Sequence, residues 1–220
     1  MIATVLTMPQ RSPEWYAARL GRVTGSCAND MLAAPKSGKG ESASRRNLRV
    51  RLMLERVTGL SQEDVYISKD MQRGIDEEEN AFRAYEAETG NVARRSGFLM
   101  HSTLMAGCSL DGEIGNFRGI LELKVPKSAT HLEYLRGEVP LEYLRQCQHN
   151  LWLSEAEWCD FVSYDPRFPE GLRLKITRIT LDDAQRRAYE LAVRMFLTEV
   201  EREVAAVEAL ARAAQGLEAA

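Results

Sequence analysis

Residues 120–125 read Ile-Leu-Glu-Leu-Lys-Val, and in an extended chain successive side chains point to opposite faces. Leu121, Leu123 and Val125 then share one face, while Glu122 and Lys124 share the other. An exposed strand edge carries the same alternation of charged and apolar residues, so a second acid matters. Asp111 supplies it, at the end of the apolar segment Cys108-Ser109-Leu110-Asp111-Gly112. A tight turn there returns the chain antiparallel and brings Asp111 across from Glu122. Two neighbouring carboxylates repel unless a cation neutralises them, and a hard, oxygen-preferring ion such as Mg²⁺ suits that role. A lysine beside the ion can orient an attacking water and stabilise charge on a phosphoryl oxygen, while the ion polarises the phosphate.

Two helical positions add polar groups where apolar ones belong. In the helix predicted over residues 69–89, Ile75, Glu78, Phe82 and Tyr85 form one stripe, which leaves a carboxylate on an apolar face. In the helix predicted over residues 141–153, Leu141, Leu144, Gln148 and Leu151 form the equivalent stripe, with an amide where a leucine would pack. A buried acid and a buried amide both require partners. A water-satisfied polar core meets that need, and so does one pocket shared with Asp111, Glu122 and Lys124.

The elements that must hold these residues follow from caps and periods. Ser12-Pro13 predicts an N-cap and first helical position, for a helix that reaches residue 20 and ends at Gly21. Ser26 is the predicted cap of a second short helix closing before Pro35, and residues 36–44 read as a mobile loop. Helices over residues 44–57, with Gly59 past the end, and 69–89, before Gly90, complete the first part. Short apolar or alternating segments at residues 97–101, 104–110 and 119–125 predict a strand meander. A helix over 141–153, strands over 158–164 and 172–179 and a long amphipathic helix over 181–214 follow. This order predicts an α/β fold: a small mixed central sheet flanked by helices, in a single domain over residues 1–220. Its helical part spans about 1–90, its core about 91–180 and its last helix about 181–214.

At 220 residues, with 45% hydrophobic and 28% charged residues, the chain has the composition of an ordinary globular domain, which excludes wholesale disorder. No apolar run approaches the roughly 18 residues of a membrane span. Residues 1–10 lack the basic stretch of a signal peptide, so the expected location is the cytoplasm. Cys27, Cys108, Cys147 and Cys159 form no close pair, and read as buried thiols in a reducing compartment. The net charge of -3 is uneven: residues 1–58 carry 10 Lys+Arg against 4 Asp+Glu, and residues 59–90 carry 3 against 9. Arg45, Arg46, Arg49, Arg51 and Arg56 on one predicted helix suit either a grip on a polyanion or a solvated basic face.

Taken together, these residues resemble the PD-(D/E)xK nuclease superfamily, and more closely its lambda-type exonucleases, the YqaJ-like viral recombinases. Six blocks appear in order over most of the chain: Trp15-x-x-x-Arg19-Leu20-Gly21-x-x-Thr24-x-Ser26, Gly74-x-x-x-Glu78, Cys108-Ser109-x-Asp111-Gly112, Leu121-Glu122-Leu123-Lys124-x-Pro126, Gln146-x-Gln148-x-x-x-Trp152 and Tyr164-Asp165-Pro166-Arg167. The family's usual proline before the aspartate is Leu110 here.

The resemblance implies a restriction-endonuclease-like core in which Asp111, Glu122 and the Leu123 carbonyl bind catalytic metals. These would be a pair of Mg²⁺ ions, with Mn²⁺ as the substitute. It implies that Lys124 positions the nucleophilic water, that Glu78 acts beside it and that Gln148 supports the pocket. Arg19, Ser26 and Ser109 match positions that receive a 5′-phosphate, a role suited to a fork-like cation and two hydroxyls. The implied activity is 5′ to 3′ digestion of one strand of linear double-stranded DNA to mononucleotides. That leaves a 3′ single-stranded tail for phage-type recombination by strand annealing. The implied partners are DNA ends, two further copies in a homotrimeric ring and a single-strand annealing protein, in a bacterial cytosol with a phage or prophage gene. A structure-specific endonuclease of the same superfamily is the enzymatic alternative, and a non-catalytic DNA-binding scaffold is the other. An iron-sulfur nuclease lacks its clustered cysteines here.

Overall fold

The computed structural model describes residues 2–35, 38–62, 68–137 and 139–218. Capping chemistry opens the main helices of the first part. The Ser12 hydroxyl accepts from the Trp15 amide at 3.2 Å and Pro13 takes the first position of α1 (Pro13–Arg19). Ser42 and Ser68 cap α3 (Ala43–Thr58) and α4 (Lys69–Thr89) in the same way, and Gly59 and Gly90 end them in the left-handed conformation. Between α1 and α3 lie a 3-10 turn, Gly25–Cys27, and the four-residue α2 (Ala28–Met31). Thr24, not Ser26, is the N-cap of that turn, which leaves the Ser26 hydroxyl to point elsewhere. Of the predicted loop, Lys36 and Ser37 lie outside the described residues.

The strands divide into two sheets. One is antiparallel, with β1 (Ala3–Leu6) beside β3 (Phe98–His101) and β3 beside β4 (Gly107–Ser109). The other runs β2 (Ala93–Arg94), β5 (Gly112–Ile114), β6 (Gly119–Lys124), β7 (Trp158–Tyr164) and β8 (Leu174–Ile179). Its β6 and β7 are parallel and its other pairs antiparallel. The predicted meander therefore changes sheets at Leu110-Asp111, and the strand that returns onto β6 is β5, too short to stand out in the sequence. β1 adds a strand to the part read as helical over about residues 1–90. Its partner in β3 lies almost a hundred residues away, a pairing that local pattern cannot reveal.

The parallel step from β6 to β7 needs a crossover, and α5 (Ser128–Arg136) and α6 (Leu141–Ser154) supply it. Alternation along β6 then sorts side chains between two cores. Ile120 packs with Leu151, Leu153, Phe161 and Phe196 on the α6 side, whereas Leu121 and Leu123 pack with Phe82, Tyr85 and Val162 on the α4 side. Glu122 and Lys124 follow the parity of Ile120. The long α7 (Asp183–Glu218) lies against α3 and α6.

The basic helix is mostly committed to holding this frame. Arg45 and Arg49 pair with Glu41 on their own side and with Glu199 on α7, and Arg49 also pairs with Glu203. Arg51 donates to the Cys27 sulfur at 3.0 Å, and Arg56 to the Gly21 carbonyl at 2.8 Å. This corrects both readings of that helix: four of its five arginines make contacts within the fold. All four cysteines are buried and free, and among the described residues no helix is long and apolar enough to cross a membrane.

Candidate active site

A cleft of about 520 Å³ opens between the segment 10–26 and α4, with β4 and β6 as its floor. A buried polar cluster occupies that floor. Glu122, 2% exposed, accepts from Lys124 Nζ at 2.5 Å and Gln146 Nε2 at 2.7 Å on Oε1, and from Asn150 Nδ2 at 3.0 Å on Oε2. Asp111 stands where β5 departs; β5 and β6 pair Gly112 with Leu121, and continuing that register sets Asp111 opposite Glu122. Its Oδ2 accepts from the Leu123 amide at 2.6 Å. Lys124 also lies over the Tyr143 ring, 4.9 Å from its centroid.

The electrostatics follow from two acids and one ammonium gathered on the cleft floor, Glu122 buried and Asp111 and Lys124 half-buried. Burial first, and then the charge of Glu122, push the Asp111 carboxyl up to about 7. Burial pulls the Lys124 ammonium the other way, yet Glu122 and Asp111 hold it above its ordinary value. A cation on this floor would relieve the repulsion between the acids. The donor set suits a hard cation: two carboxylates and the backbone carbonyl of Leu123, all oxygen. Among the described residues no group of three or more His, Cys, Asp or Glu side chains surrounds one point.

The walls carry the remaining candidates. Glu78 of α4 faces the cleft, hydrogen-bonded by Arg95 and 3.7 Å from Arg11. Arg19 at the end of α1, Ser26 in the 3-10 turn and Ser109 at the end of β4 line the opposite side. The Arg19 guanidinium sits 4.3 Å from the centroid of Trp15, and its Nη2 reaches Ser26 Oγ at 3.5 Å. Trp15 Nε1 donates to Ser109 Oγ at 2.7 Å. One indole thus orients both a guanidinium and a hydroxyl. Gly25 lets the 3-10 turn approach α6 closely enough to present Ser26: a Cβ there would lie 2.5 Å from Asn150 Oδ1.

One candidate falls outside this constellation. Gln148 is half-buried and does not line the cleft; Gln146 and Asn150, one turn apart on α6, meet Glu122 instead. The predicted stripe fails because Leu141 at its head is 59% exposed, while all residues from His149 to Ser154 are buried. A helix buried all round has no single apolar stripe to orient it. Polar residues at spacing four, Gln146 and Asn150, were the available signal. Arg11, Arg95 and Tyr143 also escaped the sequence reading, because each meets its partner only through tertiary packing.

Comparison with known proteins resolves the kinship. The model of the YqaJ-like viral recombinase domain matches residues 14–157. The chain belongs to that family. Among solved structures, LHK-Exo in complex with dAMP matches at TM-score 0.81 with 37% sequence identity, covering 94% of this chain and 100% of that one. A second structure of LHK-Exo, an alkaline exonuclease from Laribacter hongkongensis, matches at TM-score 0.80 with the same identity and coverage. A phage-related exonuclease from Haemophilus somnus 129PT, 13% identical over 84% of this chain and 96% of that one, shares the fold at TM-score 0.64. No curated protein matches. Five of the six sequence blocks lie within residues 14–157, and the same five contribute residues that line the cleft; the sixth, Tyr164-Asp165-Pro166-Arg167, lies beyond both.

Proposed function

We propose that this protein is a Mg²⁺-dependent exonuclease that digests one strand of linear double-stranded DNA from its 5′ end. It releases mononucleotides and leaves a 3′ single-stranded tail. The observation that carries the reading is the floor of the cleft, where Lys124 stands 2.5 Å from Glu122 with Asp111 in register beside them and a guanidinium and two hydroxyls on the facing wall. Membership of the YqaJ-like family and 37% identity to an alkaline exonuclease support it. The LHK-Exo complex with dAMP, a deoxynucleoside monophosphate, supports a mononucleotide product.

Asp111, Glu122 and the Leu123 carbonyl would hold the cation, which when bound supplies charge to polarise the scissile phosphate and acidify a water. Lys124 orients that water through its remaining N–H groups and offers positive charge to the phosphoryl oxygens. Glu78 accepts a proton or hydrogen bond from the water side of the cleft. Gln146 and Asn150 hold the Glu122 carboxylate in one orientation, the role first assigned to Gln148. Arg19, Ser26 and Ser109 receive the terminal 5′-phosphate by charge-assisted hydrogen bonds. The whole chain acts as one nuclease domain in the cytosol, within a homotrimeric ring, and hands its tailed product to a single-strand annealing protein.

Linear duplex labelled at the 5′ or the 3′ end, and a covalently closed circle, test this in Mg²⁺ and in EDTA. The 5′ label should appear at once as mononucleotide in Mg²⁺ only, the 3′ label should stay on a shortening strand, and the circle should survive. Lys124→Ala should bind the duplex and cut it several orders of magnitude more slowly, as for a group acting in the transition state. Release of the 3′ label first would reverse the polarity. Cutting of the circle would favour an endonuclease, and undiminished cutting by Lys124→Ala would remove the mechanism.

A further inference from the structure

An ion pair spans the cleft at its mouth. Arg11, on the segment before α1, stands 3.7 Å from Glu78 of α4, and both line the cleft. That separation exceeds a hydrogen bond, and the Arg11 side chain is 45% exposed, so the pair contributes little to stability. Glu78 does not depend on it. Arg95 hydrogen-bonds both Glu78 and Glu79 and stacks on the Phe82 ring, 4.7 Å from its centroid.

The backbone of Arg11 is held at a cost. Its φ is +68°, in the left-handed region, at the third position of a turn closed by the Ser12 amide donating to the Pro9 carbonyl at 3.3 Å. Glycine or asparagine suits that position, and a side chain with a Cβ is strained there. A strained residue at the rim of a cleft, with a weak exposed partner, points to a use for its side chain.

We propose that Arg11 is a substrate-binding residue, whose guanidinium exchanges Glu78 for a phosphodiester group of the DNA strand entering the cleft. The inference rests on the exonuclease reading above and deepens it. A strand passing between the walls must pass this pair. Its phosphates are repelled by Glu78 and attracted by Arg11, and a planar guanidinium matches two phosphate oxygens as well as it matches a carboxylate. The exchange leaves Glu78 on Arg95 and turns its Oε2 toward the cleft. Arg19, Ser26 and Ser109 serve the terminal phosphate on the opposite side of the floor, so Arg11 takes an internal one. It contacts substrate backbone without reading sequence.

Arg11→Gly and Arg11→Lys test this against the wild type. Thermal unfolding is measured together with fluorescence anisotropy on a 5′-phosphorylated duplex, over a range of salt, with Ca²⁺ replacing Mg²⁺ to prevent turnover. Arg11→Gly should unfold at the wild-type temperature or about 2 °C above it, because the strain leaves with the side chain. It should bind duplex roughly 10-fold more weakly, with a log–log salt slope smaller by about 1. Arg11→Lys should restore the slope and only part of the affinity. Wild-type affinity and slope in Arg11→Gly would overturn the assignment. So would a fall in unfolding temperature that tracks the loss of binding, since that marks a structural role. A wild-type protein that holds no duplex overturns the exonuclease reading itself, an outcome distinct from either.

Discussion

At Glu122 three donors converge on two carboxylate oxygens, and each has a different task. Lys124 supplies charge and reaches toward the cleft, whereas Gln146 and Asn150 supply direction from the helix behind. Removing a neutral donor from a buried carboxylate leaves the charge less satisfied and free to rotate. Gln146→Ala should therefore lower kcat by about 10–100-fold, as for other partners that orient a metal-binding carboxylate, while duplex binding in the absence of turnover stays close to wild type. Gln148→Ala should stay within about 2-fold of wild type, the ordinary result for a residue outside the contact set. Steady-state kinetics on one linear duplex compares the two. Equal losses would mean that α6 had been damaged as a helix and that the contact with Glu122 was not the cause.

At the scale of the element, α6 is the part that most needs anchoring, because it carries both amides. His149 anchors it, with Nε2 at 3.0 Å from the Gly107 carbonyl of β4 and Nδ1 at 2.9 Å from the Tyr189 hydroxyl of α7. A carbonyl can only accept, so Nε2 carries the proton and Nδ1 accepts from tyrosine. Protonating Nδ1 would reverse that second bond and leave a charged imidazolium in a buried place, and burial holds the imidazole down to about 4. The unfolded chain takes up the proton near the ordinary value of 6.5. Stability from this group is thus complete above about pH 6.5 and is lost as pH falls toward 4, a change on the order of 3 kcal/mol. Urea unfolding at pH 7 and pH 4.5 measures it. His149→Gln should start less stable and lose less over the same interval, whereas a parallel loss in both proteins would trace the pH dependence to other groups.

For the whole molecule, the proposed ring answers how a chain of net charge -3 could stay on a polyanion: a closed channel retains the strand by topology as well as by attraction. Light scattering on the intact protein should give the mass of three chains. A monomer that still digests long duplexes without dissociating would remove the ring from the account. The excess of basic residues over residues 1–58 contributes less to DNA binding than their number suggests, since Arg45, Arg49, Arg51 and Arg56 are held within the fold. The sequence alone determined what is local in origin: helix starts after Ser12 and at Lys69, ends at Gly59 and Gly90, and the alternation that sets Glu122 and Lys124 on one face of β6. The side of its helix from which Glu78 leaves was legible too, because a stripe reports it; Asp111 was expected across from Glu122, but the turn that sets it there lies at residues 115–118 and not at Asp111-Gly112. What periodicity does not encode is the rotation of one element against another. For that reason only the tertiary structure decided that Gln146 and not Gln148 meets Glu122, that β1 joins β3, and that Arg11 faces Glu78 across the cleft.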